Sequence, residues 1–342
     1  LWPDLEAPDH LRRVYSGPSS DWPAPWVDPG VAYVELAAPD LPRRPQADSQ
    51  TGKRHALGER LFNDPILSAS GHVACQSCHN RQLGWGDGLP RSFGHARIEG
   101  RRNAPSLFAA ARRDVLFWDG RAQTLEQQAL FPLVDPAEMA NHDLGDVTDR
   151  LQNAPDYPAL FAEAYGSDTI SLDRIADAIA TFQRYLDEPT RFDRFLQGQS
   201  DALSDTEISG LHLFRTKARC ANCHFGPNLA DGKFHNLGLA YYGRKYQDLG
   251  RYNITGRPED AGAFLTPSLR HVSRTGPYMH NGLFPSLTGI LHLYNAGGAH
   301  QANGDKNPPA LKRNAHTVSP LLKPLTLEQE EIQQIRAFLE AL

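Results

Sequence analysis

Cys75-Gln76-Ser77-Cys78-His79 and Cys220-Ala221-Asn222-Cys223-His224 each place two thiols three residues apart with an imidazole directly behind them. Such a pair of thiols can add to the two vinyl groups of one haem, and the adjoining histidine then reaches the iron from the same turn. A lone Cys-x-x-Cys serves equally well as a redox dithiol or as half of a zinc site. Neither role explains a histidine after both pairs, and the two motifs consume all four cysteines of the chain. Two covalently bound c-type haems are therefore expected, one on Cys75, Cys78 and His79, the other on Cys220, Cys223 and His224. What fills the sixth position of each iron decides the chemistry. Two strong protein ligands make an electron carrier, whereas an open or displaceable position admits peroxide.

The elements that must carry these motifs are mainly helical. Leu57 and Leu61 share a helical face ahead of the first motif. Ser204 to Glu207 form a capping box, and Ile208, Leu211 and Phe214 mark an apolar face leading into Cys220. Leu61-Phe62 and Leu213-Phe214 thus head two versions of one unit, which predicts a duplicated cytochrome c-like domain. Leu172, Ile175, Ile179, Phe182 and Leu186 form a core face, as do Ile332, Ile335 and Leu339 behind a Thr326 to Gln329 capping pair. Residues 1–46, rich in proline and tryptophan, read as an extended arm. The stretches 80–106 and 225–310 read as long loops, a feature usually tied to function. The fold class is mainly α: an arm over 1–46, a first haem domain over 47–200 and a second over 201–342.

Bulk properties narrow the setting. At 342 residues the chain is long enough for two domains. Its 40% hydrophobic and 22% charged residues are those of a globular protein, without an apolar run of the roughly 20 residues that cross a bilayer. A net charge of −5 gives no reason to expect nucleic acid or anionic lipid as partner. Covalent haem attachment normally takes place outside the cytoplasm. The periplasm is the expected compartment, with any export signal already removed.

The motifs between and after the haem pairs resemble those of bacterial dihaem cytochrome c peroxidases. They run in order through Gly86-Asp87-Gly88, Gly94-His95, Arg102-Asn103-Ala104-Pro105, Phe117-Trp118-Asp119-Gly120-Arg121-Ala122, Leu125-Glu126-Gln127-Gln128-Ala129 and Glu138-Met139. Thr266-Pro267-Ser268-Leu269-Arg270 and Thr275-Gly276-Pro277-Tyr278-Met279-His280-Asn281-Gly282 continue them. The resemblance covers about residues 50 to 300. It implies that hydrogen peroxide binds at the first haem, with Gln128 and Glu138 on the distal side, and that a high-valent iron intermediate is shared between the two haems. A carboxylate beside an amide suits the proton transfer that O–O cleavage requires. Taken alone, Gln128 reads as a solvated helix residue and Glu138 as a surface acid. His95 matches the family's removable distal ligand, with Gly88 and Gly94 as hinges. A histidine binding a propionate, or simply exposed, is the other reading of His95. Trp118 matches the tryptophan between the haems. Asn103 and the carbonyls of Thr275 and Pro277 match a calcium site between the domains, where oxygen ligands suit the ion and water completes the shell.

The second haem departs from most of that family. Where other members have methionine, this chain has Tyr294, as MauG-like proteins do. Met279 and His292 are the fallback ligands. A phenolate lowers the potential and stabilises higher iron oxidation states, whereas methionine raises it.

Three functions follow. The first is a periplasmic dihaem peroxidase fed by a small cytochrome, a cupredoxin or quinol. The second uses the same peroxide chemistry to oxidise aromatic residues of a partner protein, as MauG does. The third is a pure electron-transfer cytochrome, which leaves Gln128, Glu138 and the loop around His95 without a purpose. A homodimer is implied by the resemblance alone.

Overall fold

The computed structural model describes residues 8–300 and 308–342. The first seven residues of the expected arm, and residues 301–307 of the long second loop, lie outside the described residues. The chain order is α1 (Pro8–Tyr15), α2 (Gln50–Asn63), α3 (Leu125–Val134), α4 (Gly145–Gln152), α5 (Tyr157–Tyr165), α6 (Leu172–Gln183), α7 (Arg191–Leu196) and α8 (Asp205–Arg215). Then come β1 (Phe234–Asn236), α9 (Tyr252–Thr255), β2 (Ala263–Leu265), α10 (Leu287–Asn295), α11 (Ala310–His316) and α12 (Gln329–Leu339). The fold is mainly α. Its two short strands pair antiparallel, Phe234 opposite Leu265 and Asn236 opposite Ala263.

Two crossings of helix pairs organise the molecule, and they are built alike. In the first, α2 lies against α6 at Gly58, where a Cβ would sit 1.9 Å from the Ala178 carbonyl oxygen and 3.0 Å from the Phe182 Cβ. In the second, α8 lies against α12 at Gly210, where a Cβ would sit 2.0 Å from the Gln334 carbonyl oxygen and 2.8 Å from the Phe338 Cβ. Each glycine thus admits the backbone of a helix that presents the next residues four apart, and each precedes a haem motif. Around these crossings lie two separate apolar cores. One gathers Leu57, Leu61, Phe62, Trp85, Phe161, Ile175 and Phe182, with Cys75 packed on it. The other gathers Phe192, Leu211, Phe214, Ile335 and Phe338, with Cys220 packed on it.

The arm is extended over most of residues 16–46, but its described part starts with the helix α1. Leu11 and Tyr15, four apart on α1, are buried in the second core; two anchors are too few to raise a readable period. Arg215, fully buried, fastens the arm by donating to the Pro23 carbonyl (2.9 Å) and Glu35 (2.8 Å), while the Trp26 N–H donates to the Arg215 carbonyl.

Two other sequence readings change. The 225–310 stretch is not a continuous loop, because α10 forms within it, capped by Ser286. The last helix is capped by Glu328 with Glu331 instead of Thr326 with Gln329. Glu328 N–H donates to Glu331 Oε2 at 2.7 Å, whereas Thr326 sits at φ 54° outside the helix. The Ser204–Glu207 capping box forms as read.

Candidate active site

Each haem motif folds as a tight turn. His79 N–H donates to the Cys75 carbonyl (3.0 Å) and His224 N–H to the Cys220 carbonyl (2.9 Å), so both thiols and the imidazole of each motif issue from one turn. His79 Nδ1 lies 2.9 Å from the Trp85 carbonyl oxygen and His224 Nδ1 2.8 Å from that of Leu229. A carbonyl accepts only from a protonated nitrogen, so Nδ1–H is fixed in both rings and Nε2 keeps its lone pair for a metal. Burial pulls both imidazoles below their ordinary pKa and keeps them neutral. Burial also pushes the Cys75 and Cys220 thiols up to about 12. These donor sets fit two haems. When bound, haem would supply redox chemistry at these sites.

Around the first motif the structure assembles Glu138, His95 and Arg121. The turn after α3 carries Glu138, and two bonds fold it back, Met139 N–H to the Pro132 carbonyl and Ala140 N–H to that of Asp135. The loop of His95 lies directly on this turn. His95 N–H donates to the Glu138 carbonyl at 2.8 Å, and a Cβ on Gly94 would sit 2.2 Å from the Ala137 carbonyl oxygen. Gly94 therefore permits a close approach of its loop to the Glu138 turn. His95 Nδ1 is buried without a protein partner, as befits an imidazole facing a bound group. Glu138 lies near enough for its charge to act on both Cys75 and Cys78. Burial, helped by Asp135 and opposed by Arg121, raises its carboxyl to about 7. Gln128 is half-buried on α3, while its neighbour Gln127 is exposed and caps Gln123.

The second motif opens into a cavity whose wall includes Cys220, Cys223, His224, Met279 and Tyr294. Burial raises the Tyr294 phenol, with the Cys223 and Cys220 sulfurs acting in the same direction. His292, two residues before Tyr294 on α10, is exposed and takes no part in that wall. Met139 is buried within the first core and takes no part in that wall.

Trp118 joins the halves. Its Nε1–H donates to the Asn103 carbonyl at 3.0 Å, its own carbonyl accepts from Leu265 N–H at 2.8 Å, and its ring meets His280 edge-on at 6.5 Å. Arg102 braces it by pairing with both Asp119 and Asp248 at 2.6 Å. The Asn103 amide donates to the Leu89 carbonyl (2.9 Å), and Asn103, Thr275 and Pro277 all line the same cavity.

Known proteins bear directly on this geometry. A family model described as di-haem cytochrome c peroxidase matches residues 52–201. The methylamine utilization protein MauG of Methylorubrum extorquens is 38% identical over 319 residues, covering 92% of this chain and 85% of its own. The chain belongs to the di-haem cytochrome c peroxidase family. It is an enzyme of the haem peroxidase class. The cytochrome c551 peroxidase of Nitrosomonas europaea, another relative, is 35% identical over 280 residues and 81% of either chain. A solved structure of a MauG-like protein associated with microbial copper homeostasis superposes with a TM-score of 0.76 at 32% identity, covering 92% of this chain and 95% of that one. Membership of a peroxidase family sets aside the pure electron-transfer reading.

Several groups of this family member escape sequence reading. The Trp85 and Leu229 carbonyls that orient the ligating histidines are backbone groups without a side-chain signature. His280, stacked on Phe264 at 3.5 Å and held neutral by burial that lowers it to about 3, stands beside Trp118. Its motif gives the position but not the stack. Arg113 lines the second cavity, and the Arg112-Arg113 doublet in an otherwise apolar run was its only signal.

Proposed function

We propose that this chain reduces hydrogen peroxide at the first haem and exchanges the resulting oxidising equivalents with the second through Trp118. One observation carries the reading: Glu138 stands beside the Cys75–Cys78 thiols, on a turn bonded directly to the loop of His95. Glu138 takes the proton from the inner oxygen of a bound peroxide and returns it to the outer one, and Gln128 orients that peroxide by hydrogen bonding. His95 caps the site until its loop moves. Trp118, held by Asn103 and Leu265, shortens the path between the two motifs into two steps. The haems are attached covalently through the four cysteines. Tyr294 completes the second site; of the two fallback ligands, Met279 lines the same cavity, whereas the exposed His292 does not. Asn103 with the Thr275 and Pro277 carbonyls forms a calcium site, which metal analysis of the purified protein tests. The two cores correspond to two haem domains, whose division falls between Leu186 and Phe192 instead of at 200, and the likeness of their helix crossings supports a duplication. The compartment is the periplasm, where haem is attached and where small cytochromes, cupredoxins and quinol are at hand as donors.

A second reading keeps the chemistry and changes the substrate: aromatic side chains of a partner protein are oxidised at a distance. Tyr294 on the cavity wall, together with the likeness to MauG, favours it. Adding one equivalent of peroxide to the ferric protein without donor separates the two. A long-lived oxidised state with a near-infrared band and loss of both ferric EPR signals supports tyrosine ligation and protein oxidation. No change until the second haem is reduced supports His95 as a switch and a reductively activated peroxidase. Loss of neither haem's signal under either condition would sink both.

A further inference from the structure

The cavity of the second motif has four long cationic side chains on its wall, and three of them have acids. Arg219 lies 2.6 Å from Asp28, Lys323 3.2 Å from the same carboxylate, and Arg270 grips Asp193 at 2.8 and 2.9 Å. The imidazole of His235 also has its acid, Asp231, at 2.7 Å. Arg113 differs. Its recorded hydrogen bond runs from Nη2 to the Thr266 carbonyl at 3.2 Å, and no carboxylate among the described residues pairs with it. By surface area it is half-buried, yet loss of water pulls its guanidinium down to about 10, as expected of a side chain facing an interior cavity. It remains a cation at neutral pH. An enclosed guanidinium without a counter-charge is costly, so the partner it lacks is an anion held in that cavity.

A c-type haem carries two propionate carboxylates, and the planar fork of a guanidinium matches a carboxylate in two parallel hydrogen bonds. We propose that Arg113 is the anchor of a propionate of the second haem, reaching it from the segment that carries Trp118. This rests on the reading that the cavity of Cys220, Cys223 and His224 holds haem. Arg113 belongs to the chain between the first motif and α3, five residues before Trp118, whereas Thr266 follows β2. The anchor therefore fixes the edge of the second haem against the tryptophan segment. It is a positioning residue, and it also sets potential. A cation that neutralises a propionate favours the ferrous state, so its removal leaves an uncompensated negative charge that favours the ferric one.

The test compares Arg113→Gln, Arg113→Lys and Arg112→Gln as haem-loaded proteins, measuring haem per chain and the midpoint potential of each haem by EPR-monitored titration. Arg112 is the control, since Asp187 and Asn228 already hold its guanidinium. Arg113→Gln should lower the midpoint of the second haem alone, Arg113→Lys should keep most of it, and Arg112→Gln should leave it in place. An unchanged second midpoint in Arg113→Gln overturns the anchor, as does an equal shift of both haems or an equal shift in Arg112→Gln. Should Arg113→Gln fail to load, Arg113→Lys decides: a near-native midpoint upholds the anchor and a lowered one overturns it. A wild-type protein with fewer than two haems overturns the haem reading beneath it.

Discussion

At the scale of single residues, the two iron sites are distinguished by what stands opposite the histidine. Beside the first motif is a carboxyl able to exchange protons near neutrality; beside the second is a phenol that burial keeps protonated until a cation faces it. The first arrangement suits proton transfer to a bound oxygen, and the second suits a ligand that an iron ion would ionise. Glu138→Gln keeps the size and hydrogen-bonding reach of the side chain but cannot shuttle a proton. Peroxide turnover should fall by about 10²- to 10⁴-fold, the span of general acid–base contributions, with both haem spectra nearly intact. Stopped-flow peroxide consumption by the fully loaded variant gives the answer, and unchanged turnover removes Glu138 from the mechanism. The two Cys-x-x-Cys-His motifs were legible because the covalent chemistry proposed for them dictates their spacing. Glu138 and Gln128 were singled out only through resemblance, since nothing in their spacing shows that the turn after α3 will lay Glu138 beside the Cys75–Cys78 thiols.

Among elements, the legible helices were those whose apolar period runs for three turns or more, or whose start carries a reciprocal cap. Both hold for α8, and the period holds for α6. α10 carries the signals, with Ser286 as cap and Leu287, Ile290 and Leu291 on one face, yet the density of glycine and asparagine around it hides a nine-residue helix. That helix matters because it presents Tyr294. The glycines at the two crossings are equally silent in sequence, where a helical glycine simply looks unfavourable. Packing explains them. Gly210→Ala removes the entropic cost of glycine but sets a methyl 2.0 Å from the Gln334 carbonyl oxygen, so α8 and α12 must part. The crossing lies directly before the Cys220 motif, and the variant should lose about 1–3 kcal/mol in chemical denaturation of the haem-loaded protein, the usual penalty of overpacking. A gain in stability, as helix propensity alone would give, would show that the crossing yields without strain.

For the whole molecule, ion pairs tie together segments far apart in sequence, and no local pattern foretells them. Arg102 reaches Asp248 across 146 positions and Asp119 across 17. The result is a brace around Trp118, on whose carbonyl the N–H of Leu265 also rests. Burial alone would raise the Asp248 carboxyl. The hydrogen bond and charge of Arg102 outweigh it, and the folded pKa lies below the ordinary value. A carboxyl depressed in this way stabilises the fold at every pH above its unfolded value of about 4, and the contribution disappears as pH falls through the lower folded value. Asp248→Asn removes the charge and leaves Arg102 with Asp119 alone. It should cost about 1.5–3 kcal/mol at pH 7, the worth of a hydrogen bond to a charged group, and progressively less below pH about 4, where the wild-type carboxyl is itself being protonated. Paired denaturation curves of the loaded proteins at pH 7 and pH 3 make the comparison. A difference that persists unchanged at pH 3 would mean that Asp248 acts through shape instead of charge, and the brace would then owe its strength to Asp119.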